Sequence, residues 1–440
     1  MNKILPQSAV NSQFSVQSEY KKTQLPNGIR IVTESLPHVR SISVGVWLDV
    51  GSRDEDERNN GISHFIEHMV FKGTEKFTSQ QIARSIESVG GYLNAFTTKE
   101  HTCYYARILD DHIEKALEVL SELVQHPQFD PKEIEKERGV ILEELKNIED
   151  DPDDLIHDYL DANVYYKHPL GFPIIGKEGN IRSFNRNQLQ SYIGRHYIPQ
   201  HIVVAAAGNV DHELFVGLVQ KYFSLRDKKK SSGRRSRVAN RVNAKKFTYE
   251  KPITQAHICL GTIGYSVQSN HRYPLLVLNS LLGEGMSSRL FQNIRERYGF
   301  AYSVFSFANL LSDTGSFGMY IGTDNKHIDK SLSLMYRELE KLREKPIGAA
   351  ELKRTKAQLK GTTMLSLESM SNRMMRLGSG ELYFGQYLSL DEILRSIDEV
   401  QVDDVSDVAH KLLNPEKFST VIFTAQKDQA TTMSAQLARA

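Results

Sequence analysis

The order of predicted elements in this 440-residue chain runs through once and then begins again. In Ser41–Val50 every second residue is aliphatic (Ile42, Val44, Val46, Leu48, Val50), and that period of two predicts a strand with one buried face. Before it, Thr23–Leu25, Asn27-Gly28 and Ile29–Glu34 read as strand, turn, strand. Helical patterns follow at Ile62–Lys72 and Ser79–Val89, the second capped by Thr78 or Ser79. Leu93–Thr97 and His101–Leu109 read as paired strands, and longer helices run near Asp111–Gln125 and Pro131–Asp150. The second half restarts this order. Ala256–Tyr265 resembles Ser41–Val50, His271–Leu282 reads as a helix, Tyr302–Leu310 and Gly315–Ile321 as strands, and Ile328–Glu344 and Ala349–Leu377 as helices. The expected fold class is therefore α+β, with two similar halves, each packing helices on a mainly antiparallel or mixed β-sheet.

The predicted boundaries are a flexible lead-in at 1–22, one half at 23–225, a linker at 226–250 and the other half at 251–440. Arg226–Lys246 carries ten Lys or Arg against one acid, with Ser231, Ser232 and Gly233 inside it. Such a stretch reads as a solvated linker, or else as a docking patch for an acidic partner. A net charge of +1 gives no support for a nucleic-acid or membrane-surface partner. No apolar run reaches 18 residues, so no membrane-spanning helix is expected. The polar first twenty residues hold no apolar signal core and no arginine, which favours a bacterial cytoplasm, with a mitochondrial matrix as the alternative. Cys103 and Cys259 are too few for a cysteine metal site and are expected to be reduced and buried.

Chemistry concentrates in His64-Phe65-Ile66-Glu67-His68. On a helix, residues four apart share a face, so His64 and His68 can meet one ion, and neutral imidazoles are good zinc ligands. Glu67 lies roughly on that face, where a carboxylate can take a proton from the attacking water and pass it to the leaving amine. A catalytic zinc needs a third protein ligand. The helix carrying Glu137-Arg138-Gly139-Val140-Ile141-Leu142-Glu143-Glu144 places Glu137 and Glu144 on one face, nearly two turns apart. Spacing alone does not choose between Glu143 and Glu144.

His64–His68, followed some 75 residues later by Glu-Arg-x-Val-Ile-x-x-Glu, resembles the pitrilysin or M16 family of inverted-motif zinc peptidases. Gly61–Thr74 is similar to the subgroup of the mitochondrial processing peptidase β subunit and its short bacterial relatives. The resemblance covers about Thr23 to Thr424. It implies a zinc endopeptidase with one Zn2+ per chain, Glu144 as third ligand, Glu137 as supporting acid, and Glu67 as base. It also implies that Asn94 and Ala95 bind the substrate backbone. Arg295 and Tyr302, seven apart in the half that lacks the zinc motif, resemble the family's Arg-x6-Tyr pair, with Tyr302 on the oxyanion and Arg295 on the substrate chain. Asp154 and Asp158 match positions that recognise basic residues in the β subunit. The acidic stretch containing them, Glu149 to Asp161, reads otherwise as a solvated helix end and loop.

At this length the chain resembles half of the long family members, which implies an enclosed chamber completed by a homodimer or by a motif-less homologue. Such a chamber would admit unfolded peptides or flexible tails. The rival readings are a non-catalytic scaffold and a subunit whose activity requires a partner.

Overall fold

The structure, a computed structural model, describes residues 18–224 and 242–426. In the first half the elements run β1 (Glu19–Gln24), β2 (Arg30–Ser35), β3 (Ser41–Leu48), α1 (Ile62–Val70), α2 (Ser79–Glu87), β4 (Tyr92–Thr97), β5 (Thr102–Leu109), α3 (Ile113–Gln125), α4 (Pro131–Asp150), α5 (Pro152–Val164), α6 (Glu178–Ser183), α7 (Arg186–His196), β6 (Ile202–Gly208) and α8 (His212–Tyr222). Six strands form one mixed sheet in the order β1-β2-β6-β3-β5-β4, in which β2 and β6 are parallel and the other neighbours antiparallel. Local chemistry sets the helix starts as expected. Thr78 caps α2 through a reciprocal pair with Gln81, and Asp130 caps α4 ahead of Pro131, whose missing N–H is not needed there.

The second half runs β7 (Lys246–Lys251), β8 (Ala256–Ile263), α9 (Arg272–Gly283), β9 (Ala301–Leu310), β10 (Gly315–Thr323), α10 (Ile328–Glu344), α11 (Ala349–Ser366), α12 (Met370–Phe384), α13 (Leu390–Glu399), α14 (Val402–Leu412) and β11 (Ser419–Ala425). Its sheet, β7-β11-β8-β10-β9, reproduces the first without β1, down to the parallel outer pair. The two halves are repeats of one plan, as the restart in the sequence predicts.

The halves exchange a helix. α5, from the first half, lies on β8 and β11, and α12, from the second, lies on β2, β3 and β6. The same small residue opens the space in each case. A Cβ on Gly45 of β3 would stand 2.4 Å from Met374 Sδ of α12, and one on Gly261 of β8 would stand 2.7 Å from Leu160 of α5. The middle strands of each sheet are thus buried on both faces, and β3 is buried at every position after Ser41. This corrects the one-faced reading: Trp47 and Cys103 lie under Met374 and Leu377, and Cys259 lies under α5. Both cysteines are free and buried.

Three boundaries move. β1 begins at Glu19, inside the segment read as lead-in, because its main chain pairs with β2. β7 begins at Lys246, inside the segment read as linker, while 225–241 lie outside the described residues. The helix expected over Ala349–Leu377 breaks at Leu367, where Ser369 caps a new helix that turns onto the first sheet. The turns of the two sheets also meet. Arg53 and Glu100, both buried, bond each other, and Glu100 accepts from the Ser312 N–H (2.9 Å) and hydroxyl (2.5 Å) while Arg53 reaches Asp313 (2.8 Å). No helix among the described residues is long and apolar enough to cross a membrane.

Candidate metal centre

α1 enters the core through a tight crossing of two chain segments. Gly61, its N-cap, has φ 98°, and a Cβ there would stand 2.6 Å from the Ile175 carbonyl; one on Gly176 would stand 2.5 Å from Gly61 Cα. Gly61 has no side chain to cap with, and Glu55 does so from outside the helix. Its buried carboxylate accepts from the Gly61 N–H (2.7 Å), the Ser63 N–H (2.9 Å) and Asn60 Nδ2 (3.0 Å). A negative group at these otherwise unpaired N–H groups also suits the helix dipole. Burial pushes the Glu55 carboxyl up to about 7 against the pull of those donors. In the sequence Glu55 is one acid in a charged turn, and nothing there marks it.

One turn further, the histidines converge. His64 and His68 lie with ring centroids 4.6 Å apart on the face of α1 that meets α4. Glu144 Oε1 is 3.7 Å from His64 Nε2, and Glu144 Oε2 is 3.4 Å from His68 Nε2. Ligands about 2.0–2.1 Å from a tetrahedral zinc are about 3.3 Å from each other, so the three groups fit one ion with little adjustment. Among the described residues this trio is the one metal-ligating cluster, with ligand atoms all within 4.8 Å of one another. Burial, followed by the charge of His68, lowers the His64 pKa to about 3 and keeps its imidazole neutral, the form that binds a metal.

The supporting acid is in place. Glu137 Oε1 is 2.9 Å from His68 Nδ1, which leaves Nε2 for the ion, and Glu137 Oε2 accepts from Lys72 Nζ at 2.7 Å. Burial raises the Glu137 carboxyl, but the bonds from His68 and Lys72 outweigh it and hold the group below its ordinary range. Glu143 points outward and pairs with Lys146 at 3.0 Å, so the choice the spacing left open falls on Glu144. Glu67 stands beside the trio, its carboxyl raised by burial against the smaller opposing pull of a hydrogen bond from Thr97 (2.5 Å).

Thr97 ends β4, an edge strand of the first sheet, and Asn94 and Ala95 lie three and two residues before it. Asn94 Oδ1 accepts from the Ala95 N–H at 2.8 Å, and Asn94 Nδ2 donates to Tyr92. Asp154 and Asp158 lie on α5, Asp154 exposed and Asp158 half-buried with its carboxyl raised by burial. Asp158 lines a cavity of about 510 Å³ with Glu149, Glu178, Tyr249 and Lys251. Lys99 ion-pairs with Asp161 at 3.3 Å and favours the charged form of Asp158.

The second-half residues lie on other elements. Arg295 sits in a π-helical turn (Phe291–Glu296) with its guanidinium 4.9 Å from the Phe291 ring, and Tyr302 is 58% exposed at the start of edge strand β9. Among the described residues no hydrogen bond, ion pair or ring contact joins either one to His64, Glu67, His68 or Glu144.

Two histidines and a glutamate around one point, with a further acid alongside, form the donor set of the inverted-motif metallopeptidase class. Comparison with known proteins places the chain within it. Residues 30–178 match Insulinase (Peptidase family M16) and residues 183–359 match the Peptidase M16 inactive domain. The chain is 42% identical to an uncharacterized zinc protease of Bacillus subtilis, over 89% of this chain and 95% of that one. It is 39% identical to an uncharacterized zinc protease of Streptomyces coelicolor, over 93% and 91%. A solved protease from Helicobacter pylori superposes with a TM-score of 0.86 at 23% identity, covering 92% of this chain and 99% of that one, a likeness of fold. The chain belongs to peptidase family M16.

Proposed function

We propose that this chain is a zinc-dependent endopeptidase that cleaves unfolded peptides or flexible protein tails. The observation that carries the reading is the convergence of His64, His68 and Glu144 with Glu67 beside them and an open strand edge, β4, alongside. Zinc, when bound, polarises a peptide carbonyl and lowers the pKa of water. Glu67 takes the proton of the attacking water and returns it to the leaving amine. An extended substrate adds to β4 near Asn94 and Ala95, which aligns its main chain beside the metal centre. Glu137 fixes the ring of His68.

Arg295 and Tyr302 fit this scheme as contributions from a second copy of the chain, or from a motif-less homologue, that closes over the centre. The exposure of Tyr302, and the lack among the described residues of a bond or ring contact between either residue and the metal-site residues of its own chain, support that reading. Tyr302 would donate to the developing oxyanion. A preference for basic residues rests on Asp154 and Asp158, and Lys99 already offsets part of that negative charge. The relatives above are bacterial, which supports a bacterial over a mitochondrial setting.

The test is hydrolysis of a quenched, unstructured peptide of about 15 residues, long enough for an extended-strand site, by wild type and Glu67→Gln, with bound zinc measured in both. The wild type is expected to cut, and the variant to hold zinc and lose rate by about 10²–10⁴-fold. Zinc in both without cleavage by either would favour the scaffold or a subunit whose activity requires a partner. A matched peptide without arginine, cut equally fast at low salt, would remove the basic preference alone.

A further inference from the structure

We propose that Thr97 is a positioning residue for the reaction: its hydroxyl fixes the carboxylate of Glu67 and turns the other oxygen of that group toward the attacking water. Thr97 Oγ1 lies 2.5 Å from Glu67 Oε2. No protein group among the described residues bonds Glu67 Oε1, so one oxygen is held and the other is left for chemistry. A glutamate has three side-chain torsions to fix, and an unanchored one spreads over several rotamers. A base displaced by even about 1 Å loses much of its advantage.

The direction of the bond follows from what lies behind Thr97. Its hydroxyl is 3.5 Å from Thr102 Oγ1, its partner across the β4–β5 register. Thr102 is fully buried and donates its own hydrogen to the Val50 carbonyl at 3.1 Å. Thr102 therefore presents only lone pairs to Thr97. The single hydrogen of Thr97 goes to the nearer and charged acceptor, the Glu67 carboxylate, and charge-assisted bonds of this kind are short and strong.

The backbone that carries Thr97 is held on several sides. The next residue, Thr98, accepts from the Ser52 N–H (3.1 Å) and donates its own N–H to the His101 carbonyl (2.8 Å). Lys99 accepts from the Arg53 N–H (2.7 Å) and donates its side chain to the Phe172 carbonyl (2.7 Å). Glu100 binds Ser312 of the second half. The hydroxyl of Thr97 is thus a fixed point against which a flexible acid is set. Strand geometry alone does not call for it, because valine suits a strand equally well. The hydroxyl is the part that needs explaining.

The inference depends on the peptidase reading for its rate measurement only. Zinc-loaded, full-length Thr97→Val and Thr97→Ser are compared with wild type for kcat, KM, bound zinc and melting temperature, and their crystal structures are solved. Thr97→Val is expected to lower kcat about 10- to 100-fold with KM and zinc unchanged, the loss of one charged hydrogen bond. Thr97→Ser, which keeps the hydroxyl, is expected to recover most of that rate. In the valine variant the Glu67 carboxylate should leave its place or split between rotamers, and in the serine variant it should stay. Wild-type kcat in Thr97→Val, equal impairment of both variants, or loss of zinc in step with rate would each overturn the proposal. Should Thr97→Val not fold, Thr97→Ala carries the same comparison. If the wild type cuts no peptide, the peptidase reading fails, and the place of Glu67 in the valine variant decides by itself.

Discussion

Two carboxylates near α1 are governed by opposite balances. Around Glu137 the donors His68 and Lys72 win over burial, whereas around Glu55 burial wins over three donors. The Glu55 pKa, near 4.5 in the unfolded chain, is about 7 in the folded one. The native chain therefore keeps a proton there that the unfolded chain releases, and stability from this group is complete below about 4.5 and lost as pH rises through about 7. The shift corresponds to about 3 kcal/mol. Glu55→Gln removes the titration, so the melting temperature of wild type should fall relative to the variant between pH 5 and pH 8; a constant difference would contradict it. At this scale the sequence is legible where residues act through fixed helical spacing. His64, Glu67 and His68 share a face by geometry alone, and Glu137 with Glu144 follows the same rule. Spacing left Glu143 and Glu144 open and the resemblance implied Glu144; the packing of α4 on α1 shows that Glu144 is the acid that faces the histidines. Glu55 and Thr97 act across a turn and across a strand pair, and neither relation has a period that can be read along the chain.

Among the elements, the exchange of α5 and α12 makes glycine positions unequal. A Cβ on Gly378 of α12 would stand 2.1 Å from Trp47 Nε1, whereas one on Gly217 of α8 meets nothing within 4 Å. Gly378→Ala should lower the melting temperature, an overpacking cost of about 1–3 kcal/mol. Gly217→Ala should raise it, by up to about 1 kcal/mol of helix propensity. Equal shifts in thermal unfolding would deny that α12 seats on Trp47. The exchange also explains what periodicity missed. β6, Ile202–Gly208, is a run of small apolar residues buried on both faces, so it shows no alternation and was not recognised. α11 and α12 read as one helix because the break at Leu367 carries neither proline nor glycine. β3 stands out although both its faces are buried, because the face under α12 carries Ser43, Gly45 and Trp47 between the aliphatic residues.

For the whole molecule, the proposal that a second copy brings Tyr302 to the metal centre can be tested by complementation. If two copies complete each other, Glu67→Gln and Tyr302→Phe chains, each inactive alone, should regain activity on mixing and re-equilibration. Half of the dimers would be mixed, each with one intact site of two, which is about a quarter of wild-type activity. No recovery, with mixed dimers verified by mass, would refute shared sites. A single polypeptide with this architecture also has a problem of timing. The face of the first sheet that carries Trp47 and Val203 is closed by Met374 and Leu377, about 150 residues downstream of α8. At about 5–20 residues per second of synthesis, that face waits on the order of ten to thirty seconds for its cover. During that interval the nascent chain presents a bare apolar sheet, so a slow codon run or a premature stop between α8 and α12 is the point at which production of this protein is most exposed to aggregation.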